Sequence, residues 1–128
     1  MFIIAPIQDK KEQKNICGKC GAKFDPDCLA YSAVEDSGKL LGVLQFRIFD
    51  GYGVIYDLAN ACGTDDLEVL IIMGKTALKF MDTCGAKNAV IKTKNRDLYK
   101  ILGFKKDGEG IYKVNLKRYF APCENKHH

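Results

Sequence analysis

The sequence contains no apolar run approaching the roughly 20 residues that a membrane-spanning helix needs. Its longest unbroken stretches, such as VLIIM over residues 69–73, are far shorter, and no crossing or membrane partner is expected. An export signal is missing too: the opening MFIIAPIQDKKEQK places its apolar residues before its lysines, the reverse of a secretory leader, so a cytoplasmic location is expected. No block of one charge exists. The formal charge is only +4 and the lysines are spread over nearly every segment, whereas a nucleic-acid-binding protein presents a concentrated basic face. No nucleic-acid partner is expected. Internal repeats, low-complexity tracts and a Pro/Ser-rich linker are also absent, and 128 residues suit a single domain over 1–128. The 47% hydrophobic and 28% charged residues are those of a soluble globular chain.

Six cysteines are present, and without an export signal they read as reduced thiols rather than a disulfide framework. Cys62, Cys84 and Cys123 stand alone and are expected to pack as small apolar residues. Cys17 and Cys20 form a Cys-x-x-Cys followed by Gly, the local shape of a zinc or iron knuckle, which supplies two of four tetrahedral ligands. There is no second such pair, so Cys28, Cys123, His127 or His128 would have to complete a site from afar. Structural thiols are the favoured reading, with a metal site at Cys17/Cys20 or redox chemistry as the alternatives; no metal cofactor is expected. His127 and His128 read equally as native residues or as the remnant of a purification tag.

The order of elements is legible. FIIAPI is a β-branched run suited to a strand, and the charged QDKKEQKNICGKCG after it predicts a helix capped near Asp9 and ended near Gly21. CLAYSAVE and KLLGVLQFRIF read as strands joined by a tight DSG turn, with Leu44, Phe46 and Ile48 on one face and Gln45 and Arg47 on the other. A turn at FDGYG leads into VIYDLANA, completing a meander. One long helix follows over residues 65–84, with Leu67, Leu70, Ile71, Leu78 and Met81 as its apolar stripe and Met73, Ala77 and Phe80 widening it. Asp65 and Glu68 have capping-box spacing, and Gly85 is the expected stop. NAVIKT is again a strand, made parallel to VIYDLANA by a right-handed crossover. A short helix at RDLYKILG and a hairpin turning over residues 107–110 close the chain. No second helix is expected before Cys28.

Gly74, Lys75 and Thr76 spell the end of a phosphate-binding loop. Such a loop needs a Gly five residues earlier and a position between strand and helix start. Val69 occupies that place, and the triplet falls mid-helix, where the amides are already bonded. Nucleotide triphosphate hydrolysis is excluded. Gly74 reads instead as a close-packing point under the sheet.

This order of elements, with NRDLYKILGFKKDGEGIYKVNL over residues 95–116, resembles the GNAT superfamily of acyl-CoA N-acyltransferases. The resemblance covers mainly residues 29–120. Its most specific piece is LYKILGF, since in that family a Leu-Tyr-x-x-x-Gly-Phe ends the helix after the fifth strand. SGKLLGVLQFRI also resembles the family's hairpin into its third strand. The expected fold is α/β of the α+β kind: a mixed, mostly antiparallel central sheet with one parallel strand-helix-strand crossover.

The resemblance implies acetyl-CoA as co-substrate and a small-molecule or peptide amine as acceptor. The fourth and fifth strands should splay, with pantetheine between them and a backbone amide near Leu58, Ala59 and Asn60 on the thioester carbonyl. Tyr99 matches the tyrosine that often protonates the departing CoA thiolate; its other reading is a buried aromatic anchoring the short helix. Asp57 is the nearest carboxylate for a base, directly or through water, or a solvated structural group. The family's pyrophosphate loop, Arg/Gln-x-x-Gly-x-Gly/Ala, falls on NACGTDDLE, where Gly63 and Thr64 are followed by three acids. Free amides and a helix dipole favour an anion there, whereas the acids repel it. Either CoA binds weakly or differently, with Lys92, Lys94, Asn95 and Arg96 supplying contacts, or the fold has lost CoA and serves as a binding module, possible also as a homodimer. A solvated strand end is the plain reading of those basic residues.

Overall fold

The computed structural model describes residues 1–93 and 96–121, the side chain of Arg96 excepted. Chain order is β1 (Phe2–Pro6), α1 (Lys10–Lys19), β2 (Leu29–Glu35), β3 (Leu40–Phe49), β4 (Tyr52–Asn60), α2 (Leu67–Thr83), β5 (Asn88–Ile91), α3 (Arg96–Ile101), β6 (Lys105–Lys106), β7 (Tyr112–Asn115) and α4 (Leu116–Tyr119). The strands form one sheet in the order β1-β2-β3-β4-β5-β7-β6. Only β4 and β5 pair in parallel; the other neighbours are antiparallel. The α+β expectation is met.

Local chemistry accounts for the element ends. Asp9 caps α1, its side chain accepting from the Lys11 amide at 3.0 Å, as its position ahead of a charged helical run requires. Helix α2 stops where Gly85 adopts a φ of 92°, and the Ala86 amide reaches back to the Met81 carbonyl at 3.0 Å. That left-handed turn satisfies carbonyls the helix leaves open. The cap of α2 lies one residue later than expected: Asp66, not Asp65, is the N-cap, accepting from the Val69 amide at 3.3 Å.

The sheet is covered on both faces. Helix α1 packs Ile16, Cys17 and Cys20 against Val43 and Ala61. On the opposite face α2, α3 and α4 bury Leu44, Phe46, Ile55, Met73, Leu78, Met81, Leu98, Leu102 and Leu116. The buried stripe of α2 is rotated from the one expected: Val69 is fully buried, whereas Leu67 is 42% and Phe80 38% exposed. Gly74 is indeed a close-packing point, but against Leu102 rather than the sheet; a Cβ there would lie 2.8 Å from a Leu102 methyl.

Two features escape the sequence reading. Helix α4 follows β7 directly, capped by the Asn115 side chain on the Arg118 amide at 3.1 Å. A four-residue helix is too short for hydrophobic periodicity to register. Strand β7 also inserts between β5 and β6, with Val114 opposite Ala89. From α1 to β2 the chain passes through residues 20–28 without a helix.

Candidate functional site

The parallel ladder between β4 and β5 ends at Ile55 and Ile91, with one further bond from the Lys92 amide to the Ile55 carbonyl at 2.9 Å. Strand β4 runs on through residues 56–60 in register with β3 alone, so the two parallel strands part. A bulge sets the point of parting. Gln45 faces Asp57 and Phe46 faces Ile55, leaving Tyr56 as the extra residue of β4, which bends a strand and increases its twist. The gap is a cavity of about 380 Å³ lined by Lys23, Tyr56, Asp57, Leu58, Lys92 and Thr93 among others. A second, of about 480 Å³, is bounded by Lys23, Phe24, Asp25, Pro26, Tyr56 and Asp57. Asp57 lies on the wall shared by both.

Tyr99 belongs to α3 and is buried, its ring tilted against Tyr112 with centroids 4.6 Å apart. Its hydroxyl donates to the Thr93 carbonyl, which brings a phenol to the end of β5 where the cavity opens. Tyr99 thus reaches the end of β5 through Thr93, whereas Asp57, 42 residues away in sequence, lies on the cavity wall itself. Asp57 accepts from the Gln45 side-chain amide at 2.8 Å. Lys92 places its ammonium 5.7 Å from the centre of the Tyr56 ring. Lys94 and Asn95 lie outside the described residues; Arg96 opens α3, and its side chain is likewise outside them.

Leu58 and Ala59 line the gap, whereas the Asn60 side chain is committed to the loop after β4. Its amide donates to the Leu41 and Asp66 carbonyls, each at 3.2 Å, and its oxygen accepts from the Asp66 amide at 3.1 Å. Other loop amides are engaged as well: Ala61 to Leu41, Cys62 to Lys19 and Thr64 to Ala61. Gly63 turns the loop at a φ of 84°. The Asp66 carboxylate then occupies the helix start, where a bound anion would otherwise meet the amide dipoles. Gly63 and Thr64 thus stand in a loop held by its own hydrogen bonds.

Cys17, Cys20 and Cys28 are buried, and Cys62 and Cys84 exposed. Burial, with Asp57 nearby, pushes the Cys17 thiol up to about 11; burial and the neighbouring Cys17 and Cys62 thiols take Cys20 to about 11. Cys28 rises to about 12 through burial and then Asp25. Metals and nucleophilic chemistry need thiolates, which these surroundings oppose. Among the described residues no group of three or more His, Cys, Asp or Glu side chains is placed to hold a metal. Cys123, His127 and His128 lie outside the described residues. No helix among those described is long and apolar enough to cross a membrane.

A mostly antiparallel sheet with one parallel pair joined by a helix is the fold shared with solved GNAT acetyltransferases. The likeness to solved structures is extensive. The GNAT-family N-acetyltransferase YhbS of Escherichia coli, solved with CoA, superposes with a TM-score of 0.71 at 13% identity, over 90% of this chain and 81% of that one. A GNAT-family acetyltransferase of Brucella melitensis, solved with acetyl-CoA, gives 0.70 at 16% identity, over 95% and 90%. The PaiA N-acetyltransferase of Thermoplasma acidophilum, solved with CoA, gives 0.68 at 13%, over 90% and 99%. Matches at such low identity are matches of fold. No family model and no curated protein matches the chain by sequence.

Sequence reasoning missed Gln45, Gln13, Lys23 and Thr93. Gln45 carried one signal, a polar residue alternating with Leu44 and Phe46 in a strand buried on both faces. The others come together only through the bulge and the loop of residues 20–28.

Proposed function

We propose that this chain is an acetyl-CoA-dependent N-acetyltransferase acting on an amine, with the gap between β4 and β5 as its acyl site. The observation that carries this reading is the parting of β4 from β5 beside Asp57, with the Tyr99 hydroxyl bonded to Thr93 of the same cavity wall. The fold neighbours solved with CoA or acetyl-CoA support it.

Pantetheine enters between the strands and takes up hydrogen bonds that β5 no longer makes. An amide of β4 near Leu58 holds the thioester oxygen, where negative charge develops as the carbonyl carbon becomes tetrahedral. The acceptor approaches from the cavity on the other side of Asp57, whose carboxylate takes the amine proton directly or through water. Collapse breaks the C–S bond, and the Tyr99 hydroxyl, turning from the Thr93 carbonyl, gives its proton to the thiolate. The pyrophosphate is held weakly, because Asp65, Asp66 and Glu68 crowd the helix start and several loop amides are already bonded within the protein. Lys92, with Lys94, Asn95 and Arg96, supplies the compensating contacts.

Thermal melting against acetyl-CoA tests the reading. A ligand selective for the folded chain at a hundred times its Kd adds about 2.7 kcal/mol, or roughly 8 °C in a chain of this size. No shift at millimolar acetyl-CoA would exclude it. One observation favours a second reading, a non-catalytic binding module: the Ala61, Cys62, Thr64 and Asp66 amides of the loop after β4 are bonded within the protein, and the Asp66 carboxylate caps α2. That reading predicts no response to acetyl-CoA, together with a stable dimer or partner complex in light scattering.

A further inference from the structure

We propose that Gln45 is a positioning residue for Asp57, holding and polarising its carboxylate at the wall between the two cavities, with Gln13 and Lys10 aligned behind it. The role of Asp57 as base rests on the function proposed above; the positioning itself does not.

Gln45 is fully buried in β3, directly across from Asp57 in the antiparallel register. A buried primary amide has two N–H donors and two oxygen lone pairs to satisfy. Its Nε2 donates to Asp57 Oδ2 and to the Lys23 carbonyl, both at 2.8 Å. Its Oε1 accepts from Gln13 Nε2 at 2.9 Å and from the Asp25 amide at 3.1 Å. These partners decide which way the amide points. Turned over, it would set its NH₂ against two donors and its oxygen against a carboxylate and a carbonyl, so the orientation is fixed by chemistry.

The bonds then run in one direction. Lys10 Nζ donates to Gln13 Oε1 at 3.0 Å, Gln13 Nε2 donates to Gln45 Oε1, and Gln45 Nε2 donates to Asp57. Gln13 is fully buried as well. A cation heads the chain, two buried amide dipoles align behind one another, and a carboxylate ends it. Aligned hydrogen bonds in a low-dielectric interior strengthen one another, and every one here favours the ionised form of Asp57. A core built only for packing would place apolar side chains at positions 13 and 45. The same two glutamines also hold residues 23–28 to the sheet, through the Lys23 and Asp25 backbone and the Gln13 bond to the Asp25 carbonyl at 3.2 Å. Residues 23–26 border the outer cavity, so the carboxylate and the wall facing it share one support.

Other titratable or charged groups lie near Asp57 or line its cavities: Cys17 from α1, Lys23, Asp25 and Cys28 from the loop, Arg47 from β3 and Lys92 from the end of β5. Glutamine substitutions keep Cys17 and Lys92 but release anchors of the loop that carries Lys23, Asp25 and Cys28, so the unsubstituted protein is read first. The test is nuclear magnetic resonance of the full chain without ligand, following the Asp57 carboxyl carbon and the Gln45 side-chain NH₂ against pH. In the unsubstituted protein both signals should move with one shared midpoint. In Gln45→Met the Asp57 midpoint should rise by about one unit, the size expected when a buried donor to a carboxylate is lost. In Gln45→Glu it should rise further, because a second carboxylate replaces the donor. Gln13→Met should raise it less, in the same direction. A Gln45 amide indifferent to the Asp57 titration, or a folded Gln45→Met with an unmoved midpoint, would overturn the assignment and leave Gln45 as a cross-link of the loop. A variant that fails to fold leaves the shared midpoint in the unsubstituted chain to decide. Because no CoA is present, the outcome is separate from that of the acetyl-CoA melt.

Discussion

At the residue scale, Tyr99 is where stability and chemistry can be separated. Tyr99→Phe removes the donor to the Thr93 carbonyl but keeps the ring against Tyr112. It should lower stability by about 1 kcal/mol, and as loss of a general acid it should slow acetyl transfer by roughly a hundredfold with little change in acetyl-CoA affinity. Melting and initial rates check the two parts. An equal loss of affinity would mean that the hydroxyl serves binding rather than proton transfer. Gly74→Ala tests the packing seen between α2 and Leu102. Alanine improves helix propensity by about 1 kcal/mol, yet its Cβ would meet the fully buried Leu102 at 2.8 Å. The crowding should prevail and leave a net loss of about 1 kcal/mol in denaturant unfolding.

At the element scale, the start of α2 carries two opposed demands. Asp66 supports the helix by capping the Val69 amide, and Asp66→Ala should cost about 1 kcal/mol. Its neighbours Asp65 and Glu68 make no such bond, and their charge opposes a pyrophosphate. Asp65→Asn with Glu68→Gln should therefore tighten acetyl-CoA by about fivefold for each charge removed, at near-constant stability; calorimetric titration reads the change. The β6-β7 turn shows the opposite use of an acid. The Asp107 carboxylate accepts from the Ile111 and Glu109 amides, which hold its pKa below the usual aspartate value, with Lys113 adding to the effect. A lowered folded-state pKa means a contribution present at neutral pH and lost as pH falls through that pKa. The protection factor of the Ile111 amide, its exchange rate measured against the intrinsic rate at the same pH, should fall in acid and, in Asp107→Ala, already at neutral pH.

For the whole molecule, the buried thiols contribute a loss of stability at alkaline pH. Cys17, Cys20 and Cys28 ionise near 9 when unfolded but only at about 11 to 12 in the fold, so the folded state binds more protons between those values. Stability contributed this way is complete below pH 9 and is lost as pH rises towards 11. Below that range these three thiols should resist alkylation while the exposed Cys62 and Cys84 react, as mass spectrometry of the intact chain would show. Strand periods, the Asp9 cap, the Gly85 stop and the LYKILGF motif are local properties, and each could be read from neighbours in sequence. They determined the order of elements, the parallel crossover and the likeness to acetyltransferases. What local pattern could not reach was the meeting of distant groups. The bulge at Tyr56, the placing of Thr93 under the Tyr99 hydroxyl, the insertion of β7 beside β5 and the aligned path from Lys10 to Asp57 depend on which strands pair and in what register. Buried amides take whatever partners the fold brings to them, and that is decided only when the sheet closes between α1 and α2.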